Sequence, residues 1–195
     1  MTSENKQQQF LEENFFKRPK GFVEVCVLPS DGKIMFYKRD RAEFGFLSNF
    51  FISPVFLDGS AWAHTEVYYQ SQKSLSQSYR RKLQEKEKPS WSKHVGDSRL
   101  DNPDLDKRSW FLERPQDLRD DWDDIKLEVM RKAIQAKFTQ SEYLKNALID
   151  TNYCEIIEDS KSDFFWGTGS DDTGQNWLGV LLMELREQLI AQAVC

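Results

Sequence analysis

Glu66, Tyr69, Gln70 and Lys73 recur at i, i+3, i+4 and i+7. On a helix this spacing puts a carboxylate, a phenol, an amide and an amine on one stripe. Such a stripe suits general acid–base or Schiff-base chemistry. It also suits the solvated face of an amphipathic helix, since Val67, Tyr68, Ser71 and Leu75 point the other way and read as core.

A second candidate is the loop Trp166-Gly167-Thr168-Gly169, continuing through Gly174 to Asn176 ahead of an apolar helix. Glycines let backbone N–H groups approach an anion, and a helix N-terminus favours one. Trp166 adds a stacking surface for a base or sugar. The spacing is neither the dinucleotide fingerprint nor the P-loop, and a plain helix-entry loop is the competing reading. His64-Thr65-Glu66 resembles half of a zinc-deaminase signature, but its Pro-Cys-x-x-Cys half is absent. Two histidines and three scattered cysteines have no metal-ligand spacing, so neither a metal nor any other cofactor is expected.

The elements that must position these groups follow from composition and pattern. The 195 residues suit one domain. Aromatics reach 13%, enough apolar surface to exclude a disordered chain. The net charge of −5 argues against unspecific phosphate binding, so any nucleic-acid contact must be local. Apolar runs are short, which predicts no membrane span. With no apolar leader and no disulfide framework, a cytoplasmic protein is expected, the nucleus being the alternative.

Residues 1–20 are polar and Gln-rich and predict a mobile tail, with the domain covering 21–195. Two β-prone runs around Asp31-Gly32 predict a hairpin over Phe22–Tyr37, and Val55–Trp62 a second. Helices are expected from a Thr65 cap to about Ser76, over Tyr79–Lys88, from Asp121 or Asp123 to Phe138, from Ser141 to Ile149 and over Asn176–Gln192. A short strand is expected at Cys154–Glu158. Residues of about 89–118 read as a long insertion.

Several segments together resemble a known family. Ser48-Asn49-Phe50 matches its S-N-F turn. Trp62, Thr65-Glu66, Tyr68-Tyr69-Gln70 and Gln72-Lys73 match its W…E-x-Y-Y-Q-x-Q-K helix. Trp122-Asp123, Val129-Met130 and Lys137-Phe138 match the next helix. Asp163, Trp166-Gly167-x-Gly169, Gly174-x-Asn176 and Leu182-Met183-x-Leu185-Arg186 match the tail. This ordered set resembles the NADAR, or YbiA-like, family from about Phe36 to Leu189.

The resemblance implies a mainly α, single-domain YbiA-like helical fold with small antiparallel β-hairpins near the N-terminus. It implies an N-glycosidase acting on bonds to ribose. The expected reaction is removal of ADP-ribose from guanine, with an ADP-ribosylated guanine nucleoside or nucleic acid as substrate partner. Hydrolysis of riboflavin-pathway intermediates is the alternative, and a non-catalytic ADP-ribose or NAD-derivative binding module a third reading. By matching positions Glu66, Lys73 and Asp163 are the catalytic set. Ser48, Asn49, Phe50, Trp62, Tyr69, Gln70, Arg99, Trp166, Gly167, Gly169 and Asn176 form the substrate-binding set. Val67 stands where the family commonly has His, and Asp97 where an Arg is usual; the second change bears on phosphate recognition.

Overall fold

The computed structural model describes residues 2–24, 27–37, 43–85 and 119–194. The predicted 89–118 insertion, Asp97 and Arg99 lie outside them. The described residues contain six α-helices and four short strands: α1 Ser3–Asn14, β1 Lys33–Phe36, β2 Val55–Leu57, β3 Ser60–Trp62, α2 Thr65–Ser71, α3 Gln77–Gln84, α4 Trp122–Thr139, α5 Glu142–Asp150, β4 Glu155–Glu158 and α6 Trp177–Val194. The expectation of a mainly α fold holds. No described helix is long and apolar enough to cross a membrane.

Residues 1–20, expected as a mobile tail, contain α1. Its Gln, Glu and Lys residues are good helix formers. The Thr2 hydroxyl caps it by accepting from the Asn5 amide at 3.3 Å. Phe10 is buried against Phe56, with ring centroids 5.8 Å apart, and the Phe15 carbonyl accepts the Glu142 amide at the start of α5. One apolar side chain and one backbone bond thus tether a segment whose composition reads as solvent-exposed.

Among the described residues the predicted hairpin over Phe22–Tyr37 shows no strand pairing. Gly32, at φ +70°, makes the turn, but only the second run becomes a strand. Its partner is β4, in parallel register from Lys33 with Glu155 to Phe36 with Glu158. This pairing buries Ile34, Phe36 and Ile156 completely, which a two-stranded local hairpin would leave half wet. The second predicted hairpin is present: β2 and β3 are antiparallel, and Asp58 and Gly59 both take positive φ at the turn.

Two apolar clusters organise the helices. The larger joins Ile34, Phe36 and Phe46 to Met130, Ile134 and Phe138 of α4 and to the leucines of α6. The smaller joins the hairpin to Val67 and Tyr68 of α2, Tyr79 and Leu83 of α3, and Ala133 and Ala136 of α4. α4 serves both clusters with opposite faces. Helix α2 lies between them, with Tyr69 in the larger and Val67 and Tyr68 in the smaller. α6 packs closely on β4, because Gly179 permits it: a Cβ there would stand 2.0 Å from the Ile156 carbonyl oxygen.

Candidate functional site

Helix α2 differs from the expected amphipathic helix in two ways. All seven of its residues are buried, including Glu66 and Gln70, so neither face is solvated. It is also shorter than expected. Its N-cap is His64, whose Nδ1 accepts from the Val67 amide at 3.1 Å, and Thr65 is already helical. It ends at Ser71, so Lys73 lies in the turn beyond it rather than on its next turn. A polar sequence wedged between two apolar clusters must satisfy its polar groups internally.

Glu66 does so through its neighbours. Gln70 Nε2 donates to Glu66 Oε1 at 2.8 Å, and the Glu66 amide donates to the Asn49 carbonyl at 3.3 Å. The Thr65 hydroxyl lies 3.3 Å from the Asn49 carbonyl oxygen and 3.0 Å from Asn49 Oδ1. Asn49 Nδ2 donates to Met130 Sδ. The Ser48 hydroxyl accepts the Phe50 amide, which shapes the S-N-F turn. Ser48, Asn49, Glu66 and Gln70 are therefore one connected group.

Tyr69 links this group to the glycine-rich loop. Its ring meets Trp122 edge-on at 5.0 Å and Trp166 at 5.5 Å. Burial, followed by the nearby carboxylates of Glu66, Asp163 and Asp123, holds the phenol far above its ordinary range, so it stays protonated. The Lys73 ammonium lies 5.8 Å from the Tyr69 ring centre and 5.7 Å from that of Trp122. The Lys73 carbonyl accepts the Arg119 amide at 2.9 Å, which fixes the turn carrying the amine.

The loop spends its backbone donors on itself. The amides of Thr168 and Gly169 donate to Glu158 and Ser160, and those of Asn176, Trp177 and Leu178 donate to Gly167, Phe165 and Trp166. The N-terminus of α6 thus points its donors at this loop. Asp163 Oδ1 accepts the Phe165 and Trp166 amides, both at 2.9 Å, and so sets where the indole stands. Gly169, at φ +72°, lies under the Phe164 ring; a Cβ would come within 2.4 Å of it. Asn176 Oδ1 accepts from Glu158 N and its Nδ2 donates to the Ile156 carbonyl, both at 2.9 Å. Its amide is committed to β4.

Of the residues expected in the site, Glu66, Lys73, Asp163, Ser48, Asn49, Tyr69, Gln70 and Trp166 gather around α2 and Tyr69. Phe50 follows on the same turn. Trp62 stands elsewhere: its indole donates to the Leu57 carbonyl and its ring packs on Tyr68 in the smaller cluster. Gly167, Gly169 and Asn176 shape the loop. Three residues outside the expected set also belong here. Trp122 walls Tyr69, Met130 meets Asn49, and the Lys137 amine donates to the Ser48 carbonyl at 2.8 Å. Burial pushes that amine down to about 7. The i, i+7 spacing of Met130 and Lys137 puts both on one face of α4, and both fall in the family's matched helix motif. Among the described residues no group of His, Cys, Asp and Glu side chains is arranged to hold a metal ion.

This helical domain has the fold of YbiA. It matches the NMR structure of Escherichia coli YbiA with a TM-score of 0.68 and 33% sequence identity, over 90% of this chain and 92% of that one. The family model described as NADAR domain matches residues 35–190, and the chain belongs to that family. It is 36% identical over 159 residues to N-glycosidase YbiA of Escherichia coli, covering 82% of this chain and 89% of the relative. It is also 36% identical over 156 residues to a riboflavin biosynthesis protein of Vibrio vulnificus, covering 80% of this chain but 38% of that longer protein. These likenesses support glycosidase chemistry here.

Proposed function

We propose that the chain is an N-glycosidase that removes ADP-ribose from the amino group of guanine. The observation that carries the reading is the buried Glu66–Gln70 pair beside Tyr69, itself walled by Trp122 and Trp166 and faced by the Lys73 amine. A carboxyl group, an amine and a flat aromatic wall meet where a ribosyl-amine bond needs them. The choice of guanine as leaving group rests on the family resemblance.

Glu66 acts as the general acid. Gln70 and the Asn49 turn hold it from both sides, so its orientation is set before substrate arrives. Glu66 gives its proton to the ring oxygen as the ribose opens, which leaves the anomeric carbon as an iminium to the guanine nitrogen. The Lys73 amine adds to that carbon; Glu66 takes the proton that the added nitrogen sheds and passes it to the guanine nitrogen, which leaves as the Lys73 imine forms. Water then hydrolyses the Lys73 imine, freeing the sugar aldehyde, which recloses, and regenerating the amine. This order requires Glu66 to hold its proton and Lys73 to be neutral at attack. Trp166 supplies the stacking face. No metal or organic cofactor takes part in this route.

A second reading is favoured by the likeness to the Vibrio vulnificus protein: the same groups would cleave a ribosylated intermediate of riboflavin biosynthesis. One experiment separates the readings. The purified chain is incubated with ADP-ribosylated guanosine, or with a ribosylamino-pyrimidine phosphate, and products are resolved by mass spectrometry. Release of guanosine and ADP-ribose supports the first reading. Release from the pyrimidine alone supports the second. Binding of ADP-ribose with no release from either identifies a non-catalytic module. Borohydride added during turnover should fix the sugar to Lys73, and its absence there would leave that amine the role of a phosphate ligand.

A further inference from the structure

A lysine buried completely in an apolar cluster calls for an explanation. Lys137 lies between the rings of Phe51 and Phe138, 5.7 and 5.1 Å from their centres. A methionine would fill much the same space at lower desolvation cost. What the amine adds is one donor, given to the Ser48 carbonyl at 2.8 Å. The next carbonyl, that of Asn49, receives the Glu66 amide and the Thr65 hydroxyl. Met130, two turns before Lys137 on α4, takes the Asn49 side-chain amide. The Ser48–Asn49 turn is therefore gripped by α4 on one side and by the first residues of α2 on the other.

We infer that Lys137 is a positioning residue for catalysis, fixing Glu66 through the Ser48–Asn49 turn. This rests on the catalytic reading of Glu66. Without the amine the Ser48 carbonyl keeps only the Phe51 amide, a bond within its own turn, and the turn loses its tie to this end of α4. The Glu66 amide moves with it. Misplacement of a reacting group by about 1 Å costs about a hundredfold in rate, so the penalty should fall on the chemical step rather than on substrate binding.

The test is steady-state turnover of ADP-ribosylated guanosine by Lys137→Met, Thr65→Val and the double variant, with Glu66→Gln run alongside and folding followed by near-UV circular dichroism. Lys137→Met should lower kcat by about ten- to a hundredfold, by analogy with other misplaced catalytic groups, while KM stays within about threefold. Thr65→Val removes the opposite grip and should show the same kcat-only pattern. Because both act through one turn, the double variant should lose less than the product of the two single losses. Lys137→Gln, which restores a shorter donor, should recover part of the kcat. Should Lys137→Met fail to fold, the Thr65→Val and Lys137→Gln measurements decide alone: a normal kcat in both overturns the inference. A well-folded Lys137→Met with parental kcat, or one changed in KM alone, overturns it too, as does strict multiplicativity of the double variant. If Glu66→Gln itself turns over normally, the catalytic reading falls, and this inference with it; if Glu66→Gln is inactive while Lys137→Met is normal, only this inference falls.

Discussion

Gln70 Nε2 and Glu66 Oε1 are 2.8 Å apart, one turn along a helix buried on every side. The Gln70 amide is therefore one of the groups that set which way the carboxyl faces. Gln70→Leu removes the donor and keeps the volume. It should lower kcat by about tenfold, with Glu66→Gln lowering it at least about a hundredfold, within the range for loss of a general acid. Rates on ADP-ribosylated guanosine read both, and a Gln70→Leu protein as fast as the parent would show that Glu66 is oriented by something else.

Lys73 stands on a turn pinned by the Arg119 amide rather than on the helix. Lys73→Ala should cut turnover by at least about a hundredfold with little change in melting temperature, because its side chain is only half-buried. Lys73→Arg keeps charge but not nucleophilicity, and should be as slow as the alanine variant. Turnover restored by arginine would assign the side chain to charge alone.

Trp166 is half-buried and edge-on to Tyr69. Trp166→Ala should weaken ADP-ribose binding by roughly ten- to a hundredfold, the equivalent of about 1–3 kcal/mol of stacking. Isothermal titration measures it. Unchanged affinity in a well-folded variant, or a large drop in melting temperature with binding intact, would assign the indole to the core instead.

Asn176, at φ +49°, uses both ends of its amide to hold β4. Asn176→Ala orphans two backbone groups and places alanine in the left-handed region. The loss should be about 2–4 kcal/mol, or roughly 5–15 °C in melting temperature for a chain of this length. A shift of only a degree or two in a thermal melt would contradict that assignment.

Lys137 makes stability depend on pH in a direction opposite to that of a paired lysine. Its folded pKa, about 7, lies below the unfolded value of 10.5 because burial penalises the charge. Between the two the unfolded chain binds more protons, so stability rises with pH. The advantage is full above the unfolded value and lost as pH falls to the folded one. Urea midpoints of the parent, relative to those of Lys137→Met, should climb from pH 7 to pH 10. A flat difference would mean that the amine keeps an ordinary pKa when folded.

Much of this was legible in residue patterns. The leucines of α6, the Ile and Met period of α4 and the Asp58-Gly59 turn declared themselves, because each signal is local. β1 was legible as a strand but not by its partner: Asp31-Gly32 advertises a hairpin, while Ile34 and Phe36 are buried in a cluster built from Ile156, α4 and α6, far along the chain. α2 misled for another reason. Its polar residues imply solvent, and only tertiary packing shows that Gln70 Nε2 donates to Glu66 Oε1 in the interior. Lys137 was legible as part of the apolar period and of a family motif, but nothing local showed that its amine would meet the Ser48 carbonyl.

The parallel pairing of β1 with β4 also sets an order of events during synthesis. Lys33 leaves the ribosome more than a hundred residues before its partner Glu155. Ile34 and Phe36 must wait, uncovered, while α2 through α5 are made. The loop that carries Asp163 and Trp166 is hung from β4 and tied to α6, so it cannot settle until α6 emerges. A nascent chain stalled before residue 155 would hold Glu66 and Lys73 but no wall for Tyr69 from Trp166. The walled face of Tyr69 is therefore assembled only after β4 and α6 have been made, well after the helix and turn that carry Glu66 and Lys73.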